Sequence, residues 1–454
     1  MTGGTLTTMD VEDTTQTYYA RLQQIEASDS GGGQAWFMPI RKAAMARFSE
    51  LGFPTTRDEE WRFTNVSVIA NGAFVPAART DAAIDTKRLD PVTVCASGAH
   101  RLVFVDGRLC EKLSAIGSLP DGLTIRSLKA ALASDDPVLE PHLAHHANYA
   151  DHAFVALNTA LMEDGTVIHV GKGRVVEQPI HLFYVSTAAE PAVATFPRTL
   201  IILEPGSQAT IVETYVGLGD ATYFTNAVTE IIVRENAVLD HYRIGSEGDG
   251  GLHIGSLYIH QSRSSNISSN SVTLGGALVR NDVHTVLDGE GCECTLNGFY
   301  LADGTRHIDN HLIVDHAKPH GDSREFYKGV LDGKGRGIFS GKIIVRKDAQ
   351  KTDAKQTNQT LLLSADAQVE SKPQLEILAD DVKCTHGATI GQINGEALFY
   401  LRSRGMSEQS AHSMLVYAFA REIIEKIRIE SLRTRLNDTL FDRLPHGDSI
   451  RGLV

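Results

Sequence analysis

Residues 199–216 read Thr199-Leu-Ile-Ile-Leu203-Glu-Pro-Gly206-Ser-Gln-Ala209-Thr-Ile-Val-Glu-Thr-Tyr-Val216. Two short runs rich in Val, Ile and Thr flank a Gly-bearing corner, a composition that suits strands and not helices. Thr229-Glu-Ile-Ile-Val233 and Leu239 repeat the arrangement around an Asn-bearing corner, and Arg101-Leu-Val-Phe-Val105 and Lys342-Ile-Ile-Val345 extend it in both directions. From about residue 100 to 383 such runs recur and long helical periods are absent. A β-region of that length has to dispose of its edges as a sandwich, a barrel, a propeller or a solenoid. The irregular turn-to-turn spacing fits a solenoid with loops better than blades of fixed length, while periodicity by itself leaves solenoid and sandwich both open. Two breaks interrupt the strands. His142-Leu-Ala-His-His-Ala-Asn148 is predicted as a short helix and Gly245-Ser-Glu-Gly-Asp-Gly-Gly251 as a loop.

Helical segments flank the strands. Pro39 suits a first turn, and Ile40, Ala44, Phe48 and Leu51 then follow at helical spacing until Gly52 and Pro54. Ser28-Asp-Ser-Gly-Gly-Gly33 reads as a flexible break, and Arg57-Asp-Glu-Glu-Trp61-Arg-Phe63-Thr-Asn65 as a charged turn with two aromatics. Toward the other end, Gly405 closes one helix and Ser407 caps the next. Ala411, Met414, Leu415, Ala418, Phe419 and Ile423 form an apolar stripe on it, and Leu432, Leu436 and Leu440 mark a last helix. The stripe suits packing within the chain or a docking surface for a partner.

The chain has 454 residues, 43 basic and 56 acidic, a net charge of −13. That balance lacks the basic stripe of a nucleic-acid platform and does not suit an anionic membrane surface. No apolar run approaches the ~18 residues of a membrane span, and the opening Met-Thr-Gly-Gly-Thr-Leu-Thr-Thr-Met-Asp10 lacks the plan of a signal peptide. The expected compartment is the cytoplasm. Cysteines stand at 95, 110, 292, 294 and 384 with no Cys-x-x-Cys pair, so neither a disulfide framework nor a private four-thiolate iron–sulfur site is expected.

Four motifs carry possible chemistry. His307, His311, His316 and His320 lie in an extended segment, where residues four apart are separated by ~13 Å, too far for one ion. Cys292 and Cys294 read as small buried hydrophobes. Gly333-Lys-Gly-Arg-Gly-Ile-Phe-Ser-Gly341-Lys342 fails the phosphate-loop pattern at Arg336 and Ile343, so no ATP site is expected in this chain. Cys384-Thr-His386 is different. In an extended chain, residues i and i+2 share a face, and a thiol and an imidazole on one face are both borderline metal ligands. A buried Cys beside a capping His, or a Cys–His dyad, satisfies the same spacing.

Three segments resemble one family. They are Gly52-Phe-Pro-Thr-Thr-Arg-Asp-Glu-Glu-Trp-Arg-Phe-Thr64; Phe154-Val-Ala-Leu-Asn-Thr-Ala-Leu161 with Gly165–Gly173 and Glu177-Gln-Pro-Ile180; and a run from Tyr327-Lys-Gly-Val-Leu331 through Phe339-Ser-Gly-Lys-Ile343 and Ala349–Ser364 to Gly405. Together they are similar to the SufB/SufD family of the SUF iron–sulfur cluster assembly machinery. Cys384-x-His386-Gly-Ala, where SufB has His-Glu-Ala, places the chain on the SufD side. The resemblance implies a mainly β fold: a right-handed parallel β-helix over residues 96–385, an N-terminal helical region over 1–95 and a C-terminal helical domain over 386–454. It implies a non-enzymatic scaffold, partnered by a SufB-like subunit and by a SufC-like ABC ATPase that docks on the C-terminal helices. It further implies a transient iron–sulfur cluster shared with the SufB-like subunit, with His386, and beside it Cys384, as the expected metal ligands. The alternatives are a β-solenoid enzyme acting on polysaccharide and a structural homodimer joined edge to edge.

Overall fold

The computed structural model describes residues 10–28, 35–76, 84, 99–188, 191–444 and 446–452. Cys95, most of the Ser28–Gly33 break and the opening nine residues lie outside the described residues.

The strand at Arg198–Leu203 and the one at Gln208–Gly217 belong to different sheets. Gly206 (φ 70°) and Asn236 (φ 56°) turn the two predicted corners in the left-handed region, which Gly and Asn enter at least cost. Each later strand pairs in parallel with the strand two places further along the chain. Two sheets therefore grow side by side, one from the even and one from the odd members of the series, and the chain is a parallel β-solenoid. The register carries Cys294 to Ser323, Ala354 and Cys384, one turn at each step. Inward side chains from both sheets, among them Ile201, Ile231, Leu239, Ile267, Leu312 and Val314, form a fully buried lumen core. Each such aliphatic contributes roughly 1.5–3 kcal/mol by leaving water.

The two ends of the solenoid differ. At the first end, Leu123–Ser127 pairs antiparallel with Gly165–Val170, and His100–Val105 folds back on Arg108–Leu109. Leu109, Ile116 and Leu119 then pack on the lumen core. At the other end, Gln368–Ile377 and Lys383–Gly391 terminate their sheets, with no strand beyond them among the described residues, and all their residues are exposed or half-buried.

Helices Val11–Ser28 and Met38–Leu51 pack with Ala153–Leu161 over one flank, through Tyr18, Leu22, Ala44, Phe48 and Phe154 onto Phe224 and Ile254. The Met38–Leu51 helix starts and stops as its Pro39 and Gly52 predict, with the Gly52 amide donating to Phe48 O. Buried Arg41 donates to Ala160 O and Met162 O at 3.1 and 2.7 Å, satisfying carbonyls at the end of the neighbouring helix. The charged turn is a clamp on the solenoid wall. The Arg280 guanidinium lies 3.8 Å from the centre of the Trp61 ring and donates to Glu60 O and Asp309 Oδ2. Thr64 Oγ1 bonds to Asp309 as well. His311 sits between Glu60 and Asp309 at 3.3 and 3.1 Å. Burial alone would lower its ring, but the Asp309 carboxylate overrides this and holds it up at about 9.

Two expectations need correction. His142–Asn148 forms successive turns, not a helix. Its Ala144, His146 and Ala147 amides donate to the buried Glu230 carboxylate, which Arg198 neutralises. In the helix Glu408–Ile424, the buried positions are Ala411, Ser413, Val416, Tyr417, Ala420, Ile423 and Ile424, whereas Ala418 is exposed and Met414, Leu415 and Phe419 are half-buried. Residues 414–420 are apolar all round, so the sheet beneath, through Tyr242, Val272, Phe299 and Val330, selects the face. Leu432, Leu436 and Leu440 of Glu430–Arg443 join the same core as expected.

Candidate functional site at the open end

Cys384 and His386 lie on the last strand, Lys383–Gly391, which pairs on one side only with Asp353–Leu362. Cys384 is in register with Ala354, and His386 with Gln356. Ala354 and Gln356 are buried inward positions, so both candidate ligands occupy the lumen face, as the i, i+2 spacing requires. Cys384 packs with Ile343, Val345, Ala349, Ala354 and Ala379. This burial pushes its thiol up, and the Ala354 amide only partly offsets it. His386 is exposed. Among the described residues no group of three or more His, Cys, Asp and Glu converges to hold a metal ion. The strand therefore presents two donors at an edge, not a cage.

The other motifs resolve as structure. Cys292 Sγ donates to Ser262 O and Gly289 O, and Cys294 lies in the lumen core, where burial raises its thiol strongly. His316 bonds to Ser323, and His311 belongs to the clamp. Gly333 (φ 62°) turns into the strand Arg336–Val345, with no helix following to receive a phosphate. A cleft between Arg57, Arg62, Phe63 and Lys372 lies beside the last turn, on the outer wall.

One set of polar residues went unnoticed in the sequence. Glu325 and Gln356 are fully buried, one turn apart and in register, with Gln356 Nε2 donating to Glu325 Oε2 at 2.8 Å. Burial pushes the Glu325 carboxyl up to about 8, against the opposing hydrogen bond from Gln356. Aligning the sequence on the register spacing of Cys294, Ser323, Ala354 and Cys384 would have exposed them as the column leading to His386.

Residues 184–419 match the SufBD core domain of SUF-system FeS cluster assembly, and residues 11–182 match the SufBD protein N-terminal region. The chain belongs to the SufBD family. The iron-sulfur cluster assembly protein SufD of Escherichia coli is 34% identical over 411 residues, covering 90% of this chain and 93% of its own length. An iron-sulfur cluster assembly SufBD family protein of Synechocystis is 32% identical over 419 residues, covering 90% and 92%. The chloroplastic protein ABCI7 of Arabidopsis thaliana is 30% identical over 404 residues, covering 87% and 83%. Membership of the SufBD family makes this an iron–sulfur cluster assembly protein. Among the described residues no helix is long and apolar enough to cross a membrane.

Proposed function

We propose that this SufBD-family chain is a non-catalytic, cytoplasmic scaffold subunit that offers half of a cluster-building site to a SufB-like partner. One observation carries the reading: Cys384 and His386 face the lumen on a terminal strand whose other edge is unpaired among the described residues. Free N–H and C=O groups along that edge are a template for another strand. A SufB-like solenoid paired there would bring its own donors against the two present here. Iron and sulfide are cargo at this junction. His386 is the stronger donor, since its ring is exposed, whereas Cys384 is held toward its thiol form by burial.

The C-terminal helices are the proposed seat of a SufC-like ABC ATPase. Helix Gly395–Ser403 buries none of its residues, and its Phe399 and Tyr400 are 73% and 57% exposed. The same open edge also suits a second copy of this chain, so a homodimer is the competing assembly in the absence of the SufB-like subunit. Nothing in the site favours a polysaccharide-acting enzyme.

The test is His386→Ala in a complex reconstituted with the SufB-like and SufC-like subunits and supplied with iron and sulfide. The expected outcome is an intact complex whose cluster absorbance falls at least several-fold. Normal cluster yield would remove His386 from the site.

A further inference from the structure

The strands beneath His386 hold a polar column that the fold by itself does not need. In register, the ladder reads Leu296, Glu325, Gln356 and His386, one residue per turn. Leu296 is an ordinary core residue. The next two positions bury an acid and an amide, each of which costs stability unless its polar atoms are paired. Only one contact joins them, Gln356 Nε2 to Glu325 Oε2. The Oε1 atoms of both residues are buried without a partner. Room for the amide is built in, because a Cβ on Gly341 of the facing sheet would collide with Gln356 Nε2.

In this structure the amide turns its NH2 toward Glu325. Its NH2 is engaged by Glu325, so its carbonyl oxygen is the group left for the residue one turn on, which is His386. Burial keeps the Glu325 carboxyl protonated over most of the neutral range, and a protonated carboxyl accepts from the amide through its carbonyl oxygen without bringing an unpaired charge into the lumen. An imidazole that donates one N–H to an amide carbonyl keeps the lone pair of its other nitrogen free for a metal, with the tautomer and ring plane set by that bond. Among the described residues no hydrogen bond or ion pair reaches the His386 ring, and Gln356 Oε1 is likewise unpaired.

From this register and the unpaired oxygen we infer that Gln356, held by Glu325, is the positioning residue for His386: its Oε1 is the acceptor the His386 ring N–H takes when the ring turns inward, and it selects the tautomer that presents the other nitrogen at the open end. The inference rests on the role given to His386 above, so its first test is independent of cluster chemistry. The full chain is labelled with 15N-histidine, and the His386 ring nitrogens are assigned by their loss in His386→Ala. The expected result is one dominant tautomer in the unsubstituted chain and a mixture in Gln356→Met. Glu325→Gln, which still accepts from the amide, keeps the single tautomer. Glu325→Leu, which frees the amide to flip, gives the mixture and serves as the second probe if Gln356→Met folds poorly. Unchanged ring signals in folded Gln356→Met or Glu325→Leu overturn the inference.

The second test is cluster yield in the reconstituted complex. Gln356→Met lowers it about 10-fold, the low end for removal of a ligand's outer partner, and has no further effect in the His386→Ala background. Independent losses in the double variant would mean a merely structural role and also overturn the inference. A changed tautomer together with normal yield in His386→Ala supports the Gln356–His386 contact and overturns instead the cluster role proposed for His386.

Discussion

The two ends of this solenoid are made from the same kind of strand and treated in opposite ways. At the first end, antiparallel strands fold over the sheet margins, and Leu109, Ile116 and Leu119 plug the lumen. At the last end, the ladders simply stop, leaving Ile377 40% and Ile390 50% exposed on uncovered strands. Soluble proteins normally blunt such edges. This chain blunts one and keeps the other, and the kept edge bears Cys384 and His386. The difference separates a margin covered by its own chain from one left uncovered, the margin proposed above for assembly.

The sharpest way to break this comparison is to cut matching apolar groups at the two ends. Leu102→Ala, in the buried strand of the closed end, should cost about 2–5 kcal/mol. Ile390→Ala at the open end should change the melting temperature little, because a half-exposed side chain leaves no sealed cavity, yet it should weaken association with the SufB-like subunit. Thermal melts and size-exclusion profiles of both variants check this, and equal destabilisation would show that the open end is part of the folding core.

A smaller effect is expected at the clamp, which belongs to the closed body. His311 has its folded value raised from 6.5 to about 9. Its contribution is therefore fully present below pH 6.5 and is lost as pH rises through 9. Denaturant titrations should show stability falling across that window, and His311→Gln should flatten the fall. An unchanged slope would remove His311 from the ion network. Least expected to alter the fold is the pair Phe399→Ser and Tyr400→Ser. Both side chains are exposed, so melting should stay the same while capture of a SufC-like ATPase is lost. Undiminished capture would place the ATPase seat elsewhere.

Local features were legible in the sequence because their causes are local. Pro39 and Gly52 bound a helix, Ser407 accepts from the Ser410 amide as a cap, and Gly206 and Asn236 turn corners between β-branched runs. The shared face of Cys384 and His386 followed from two-residue alternation alone. What stayed hidden depends on neighbours a full turn away. Solenoid and sandwich give the same strand runs, and only pairing between every second strand distinguishes them. The buried face of Glu408–Ile424 is chosen by the sheet below, and the turns at His142–Asn148 by the Glu230 carboxylate. Glu325 and Gln356 look like ordinary surface residues until the register stacks them under His386. The open edge was equally invisible, since exposure is a property of what fails to follow.

On the proposed assembly, the covered first end would also set an upper bound. A solenoid with two free ends could add copies head to tail without limit, as a fibre does. Among the described residues only the last end leaves full-length parallel ladders uncovered, so a pair joined there, as proposed above, would present no second such margin. On that proposal growth would stop at a pair, and the same asymmetry would guard against a polymer.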